Sequence, residues 1–134
     1  MLRRHLAALR EAIVHLRRYA ARRADDLRAD ADLRWAVERG LQLACQNVLD
    51  LATHVATAAG REASDYAGAI DALAELQVLP GPFASRLRSI AGFRNVLVHG
   101  YLQVDPDIVA AVLRDRLDEL AEFADLVEAY AARC

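Results

Sequence analysis

The stretch Asp32-Leu33-Arg34-Trp35-Ala36-Val37-Glu38-Arg39-Gly40-Leu41-Gln42-Leu43-Ala44-Cys45-Gln46-Asn47-Val48-Leu49-Asp50-Leu51-Ala52-Thr53-His54-Val55 decides the fold. Within it Leu33, Val37, Leu41, Ala44, Val48, Leu51 and Val55 recur at steps of three and four residues, which is one stripe of an α-helix. Leu43, Leu49 and several alanines widen the stripe. A helix apolar over so much of its circumference must be surrounded by others, so residues 31 to 59 are expected to form a central helix. Asp30 or Asp32 is placed to cap its start, and Gly60 to end it.

Upstream, Leu2, Leu6, Leu9, Ile13 and Leu16 predict a first helix over residues 2 to 23. Downstream, Ser64 or Asp65 caps a short helix reaching Gln77, with Ala69, Ile70, Leu73 and Leu76 on its apolar face. Leu79-Pro80-Gly81-Pro82 reads as a tight connection, followed by a helix from Pro82 or Phe83 to His99 with Gly100 as its left-handed stop. Asp105-Pro106 opens the last helix, whose stripe is Ile108, Val109, Val112, Leu113, Leu117, Leu120, Phe123, Val127 and Tyr130. No segment reads as a strand. The expectation is a single all-α domain over residues 1–134, a bundle of four main helices plus a short one.

Composition narrows the rest. A hydrophobic content of 55% with only 6% aromatics implies an aliphatic core and more apolar surface than a monomer of this size hides, so a homodimer is expected. The formal net charge of −2 gives no global signature of nucleic-acid binding. All 17 basic residues are arginine, which reflects the composition bias of the source genome and carries no functional claim. No run of apolar residues is long enough for a membrane span. Arg3, Arg4, Arg10 and Glu11 interrupt the early apolar residues, so no secretory leader is expected and a reducing cytoplasm is. Cys45 reads as a core residue and Cys134 as terminal, with spacing for neither a disulfide nor a metal site.

The chemistry-bearing stretch is Arg94-Asn95-Val96-Leu97-Val98-His99-Gly100-Tyr101. Arginine brings a permanent charge with a planar fork for phosphate, and histidine exchanges protons near neutral pH. Asn95 and His99 are four residues apart, so the asparagine is placed to hold the imidazole by a hydrogen bond. Arg94 and Tyr101, seven apart, would share a face if the helix continued. A cation beside a proton shuttle suits phosphodiester chemistry. RNA cleavage by its own 2′-hydroxyl needs both a base and an acid, and one histidine cannot be both in a concerted step. A two-fold dimer would bring two copies of His99 and Arg94 to one cleft, with no metal required. Such a site would leave DNA intact, because DNA lacks the nucleophile.

The segment Leu87 to Tyr101, with its Arg, four residues, His, one residue, Tyr spacing, resembles the signature of the HEPN superfamily, and more narrowly that of the HepT-like toxins. Ala36-Val37-Glu38-Arg39 leading into Leu41-Gln42-Leu43-Ala44, the Val78-Leu79-Pro80 turn and Val104-Asp105-Pro106 fit the same family, so the resemblance covers nearly the whole chain. It implies a HEPN-type helical homodimer with a composite interface site and metal-independent endoribonuclease activity. By the same match Arg94 and His99 are the catalytic pair, and Asn95 is the polar residue after the arginine. The resemblance further implies a type VII toxin–antitoxin pair. In it a minimal nucleotidyltransferase antitoxin of the MntA kind transfers AMP to Tyr101. Bulk and negative charge there would exclude RNA and engage Arg94. No cofactor is implied. The alternative is a non-catalytic HEPN module that binds nucleotides or serves as scaffold for its nucleotidyltransferase partner.

Other polar residues have plainer readings. His5 and His15 are expected on a solvated surface, and His54 in an interior or interface position. Arg17-Arg18 and Arg22-Arg23 complement a helix C-terminus or, alternatively, track an RNA backbone. Glu38-Arg39 is read as an internal charge pair near the motif helix, and Trp35 as packing at the bundle end.

Overall fold

The computed structural model describes residues 2–99 and 104–134, and every regular element among them is helical. They are α1 (Leu2–Arg17), α2 (Ala24–Ala29), α3 (Ala31–Ala58), α4 (Tyr66–Glu75), α5 (Gly81–Leu87), α6 (Ser89–His99), α7 (Pro106–Asp115) and α8 (Leu117–Arg133). The central helix forms as its stripe requires. Asp30 caps it by accepting from the Leu33 amide at 3.1 Å, and Val37, Leu41, Ala44, Cys45, Val48, Leu49, Leu51 and Ala52 are completely buried along it. Gly60, at φ 78°, is the left-handed residue that ends the segment. Around α3 pack α1, α4, α6, α8 and α2. The approach of α1 is close enough that a β-carbon on Gly40 would meet Leu16 Cδ2 at 2.8 Å, so a larger residue there would have to displace the buried Leu16 side chain.

All five segments legible in the sequence are helical, with four differences of extent. The first helix stops at Arg17 rather than near residue 23. There the bonding tightens to i→i+3, with Arg18, Tyr19 and Ala20 amides donating to His15, Leu16 and Arg17 carbonyls, as the chain enters a run of like-charged arginines. It then re-forms as the single turn-and-a-half of α2, anchored by the fully buried Leu27.

The helix expected from Pro82 to His99 breaks at Arg88, and the last one breaks at Arg116. The two breaks are joined. The Arg86 carbonyl accepts from Ser89 Oγ at 3.1 Å and from Arg116 Nη2 at 3.1 Å, while Arg116 Nη1 donates to Ser89 Oγ at 2.9 Å and Nε to Glu119. Side chains competing for a helix carbonyl disturb the ladder there, with no proline or glycine to announce it. The short helix α4 ends at Glu75, and Gln77 takes the left-handed turn at φ 60°. That turn returns Val78 and Leu79 to the core. The caps expected at Asp65 and Asp105 are present, accepting from the amides of Gly68 and Asp107. Gly100, expected as the stop of α6, lies outside the described residues.

Cys45 is buried in the α3 core, and burial pushes its thiol up to about 12. Cys134 is exposed. At pH 8 the folded protein is therefore expected to react at Cys134 with a thiol-specific reagent, and at Cys45 only after denaturation. Counting modified thiols over time, with and without urea, checks this. Equal rates at both cysteines in the native protein would contradict the packing of α3. Among the described residues no helix is long and apolar enough to cross a membrane.

Candidate active site

Helix α6 carries the Arg–Asn–His set, and its packing is lopsided. Of its eleven residues only Ile90 is buried. Phe93, Arg94, Leu97 and Val98 are half-buried against the bundle, while Gly92, Asn95, Val96 and His99 face outward. Val96 is 47% exposed, an unusual position for a valine in the middle of a helix. At about 100° per residue, Asn95 and His99 leave the helix about 40° apart on this exposed face, and Arg94 lies on its flank.

Arg94 reaches across to α3 and α4. Its Nε donates to Gln46 Oε1 at 2.7 Å, and its Nη1 to Asn95 Oδ1 at 3.0 Å. The guanidinium stands over the Tyr66 ring at 5.5 Å from the centroid, within cation–π range. Gln46 Nε2 in turn donates to Asp50 Oδ1 at 2.8 Å and to the Tyr66 hydroxyl oxygen at 3.2 Å. Arg94 is thus held by residues from three helices. Nη2 has no acceptor among the described residues and is available to an oxyanion.

The structure places the expected residues as follows. Arg94, Asn95 and His99 are together on α6, but the Asn95 carboxamide oxygen takes Arg94 rather than the imidazole. The reason is proximity: the guanidinium is a charged donor one residue away and makes the stronger hydrogen bond. Tyr101 lies outside the described residues. Gln46, Asp50 and Tyr66 were not singled out from the sequence. Their only signal is a polar pair four residues apart, Gln46 and Asp50, inside the central helix, where the pattern alone gives no partner.

Several plainer expectations are corrected. His5 is half-buried, and its Nδ1 lies 2.9 Å from Asn47 Oδ1, so it joins α1 to α3 instead of being solvated. Trp35 does not pack at the bundle end; it is 69% exposed at the start of α3. Glu38 pairs with Arg34 at 3.8 Å, its carboxyl held above the usual range by burial and partly offset by that arginine, so it is no partner of Arg39. His54 is exposed in the single chain, which rules out the interior position and leaves the interface position untouched. Arg17 is engaged by Asp118 at 3.0 Å, within the bundle's own surface.

A bundle of this topology, with an arginine and a histidine on one under-packed helix, is a HEPN-like fold. It superposes on the solved structure of the tri-AMPylated Shewanella oneidensis HEPN toxin in complex with MNT antitoxin with a TM-score of 0.84, at 22% identity over 96% of this chain and 96% of that one. A family model described as ribonuclease HepT-like matches residues 9–127, and the chain belongs to that family. It is 28% identical over 102 residues to the mRNA nuclease HepT of Shewanella oneidensis, covering 75% of this chain and 76% of that protein. It is 25% identical over 118 residues to the tRNA nuclease HepT of Aphanizomenon flos-aquae, covering 87% and 80%.

Proposed function

We propose that this protein is the ribonuclease toxin of a toxin–antitoxin pair, cutting RNA without a metal at a site completed by a second copy of itself. The observation that carries the reading is the fixed Arg94 guanidinium, its Nη2 without an acceptor among the described residues, on the same helix as the exposed His99. Membership of the ribonuclease HepT-like family supports it.

In the reaction a 2′-hydroxyl loses its proton and attacks the adjacent phosphorus, and the 5′-oxygen leaves with a proton. The products are a 2′,3′-cyclic phosphate and a 5′-hydroxyl. Arg94 neutralises charge that grows on the non-bridging oxygens. One His99 takes the 2′-hydroxyl proton, and the partner copy supplies the proton for the leaving oxygen. Asn95 braces Arg94 and presents its amide to RNA.

The exposed face of α6 is where the second copy docks, bringing its own Asn95 and His99. Val96 on that face, and Leu43 one turn before Gln46 on α3, are the apolar surface such a contact covers.

Silencing follows from the same electrostatics. AMP attached to Tyr101 by a nucleotidyltransferase antitoxin places a phosphate close to Arg94 in the chain and competes with RNA for it. The tri-AMPylated state of the Shewanella toxin, solved with its MNT antitoxin, supports this proposal.

Expression of the chain alone in a bacterial host is expected to arrest growth, and Arg94→Ala to relieve the arrest at equal protein level. Colony counts after induction read this out. Harmless expression of the wild type, purified from the same cells without AMP on Tyr101, would favour the non-catalytic scaffold instead.

A further inference from the structure

We infer that Gln46 is the positioning residue for Arg94: its neutral carboxamide, oriented by Asp50 and Tyr66, fixes the guanidinium without cancelling its charge. This rests on the nuclease reading only for its kinetic consequence; the positioning itself stands on geometry.

The carboxamide has one workable orientation. A guanidinium only donates and a carboxylate only accepts, so Gln46 must turn Oε1 to Arg94 and Nε2 to Asp50. Tyr66 acts twice, its hydroxyl oxygen accepting from Nε2 at 3.2 Å and its ring backing the guanidinium plane. Gln46 and Asp50 are one turn apart on α3, whose buried face is the centre of the core. Tyr66 opens α4, directly after the Asp65 cap. The grip on Arg94 therefore comes from rigid elements and not from a loop, as a site that must hold sub-ångström geometry requires.

The identity of the residue matters as much as its place. A glutamate here would also accept from Nε, but as a carboxylate it would pair with the guanidinium and offset the charge meant for phosphate, and it would sit beside Asp50 as a like charge. Glutamine holds the arginine and leaves its full charge for the substrate.

Gln46→Leu keeps nearly the same shape and removes the hydrogen bonds to Arg94, Asp50 and Tyr66. Its kcat on a defined RNA is expected to fall on the order of 10- to 100-fold, the scale of a misplaced catalytic group. KM should stay within about twofold. In an Arg94→Ala background the same substitution should change the rate by less than about twofold, because the two residues act as one unit. Gln46→Glu should be impaired at neutral pH. Its rate relative to wild type should recover as pH falls and the new carboxyl, facing Asp50, Arg94 and Tyr66, takes a proton and regains a donor.

An equal loss from Gln46→Leu in both backgrounds, or no loss in either, overturns the assignment. If the wild type cleaves nothing, the nuclease reading fails and a second readout decides the positioning alone. The Arg94 Nε–H resonance, identified by its absence in Arg94→Lys, should exchange with water about tenfold faster in Gln46→Leu than in wild type, since a satisfied donor is protected. Unchanged exchange would overturn the inference on structural grounds.

Discussion

His99→Ala is expected to reduce RNA cleavage on the order of 10³-fold while leaving the fold and the dimer in place. The size of the effect follows from the double use of the residue. In the proposed reaction each cleft draws its base and its acid from two copies of His99, so one substitution would remove both proton-transfer groups. The fold survives because the imidazole is exposed at the end of α6. Among the described residues the His99 side chain makes no hydrogen bond or ion pair whose loss would unfold the bundle. Initial rates on a fluorescent RNA, with the thermal midpoint and sedimentation of the same samples, separate the two quantities. A variant that cuts as fast as wild type contradicts the assignment, as does one that is inactive only because it unfolds.

Arg94→Ala is expected to lower kcat by about 10²- to 10³-fold, the scale for removal of a fixed donor aimed at developing charge. That corresponds to about 3–4 kcal/mol of lost transition-state stabilisation. Arg94→Lys should recover little of it. An ammonium has no planar fork with which to satisfy Gln46, Asn95 and a phosphate together, and it loses the flat stack on Tyr66. The truncation also leaves Gln46 without the donor its Oε1 now serves, so a modest loss of stability should accompany it. Steady-state kinetics of the three proteins test this. Lysine restoring the full rate would reduce the arginine to a diffuse positive charge and remove the need for its bracing.

Much of the fold was legible because the apolar stripes are long and unambiguous. The run from Leu33 to Val55 dictates a central helix, and Asp30, Asp65 and Asp105 cap as their chemistry suggests. What failed were features set by distant partners. The breaks at Arg88 and Arg116 arise where Arg116 reaches the Arg86 carbonyl, a contact across 30 residues that no local pattern encodes. The sequence suggests packing of Trp35 at the bundle end, yet its position on α3 turns it outward.

The candidate site divides in the same way. Arg94, Asn95 and His99 are neighbours in sequence and were read directly. The bracing of Arg94 by Gln46 spans 48 residues and required the packing of α6 on α3. The same geometry explains why Asn95 turned to Arg94 instead of His99. Sequence spacing allowed both contacts, and the charged donor prevailed.

The proposed metal-free ribonuclease site centred on His99 calls for one assay: incubating the purified, unmodified protein with RNA in EDTA, beside His99→Ala, and analysing the product ends. Cleavage by the wild type alone, leaving 2′,3′-cyclic phosphate and 5′-hydroxyl ends, is the expected result. Intact RNA in the wild-type reaction, with mass spectrometry showing Tyr101 free of AMP, would contradict it.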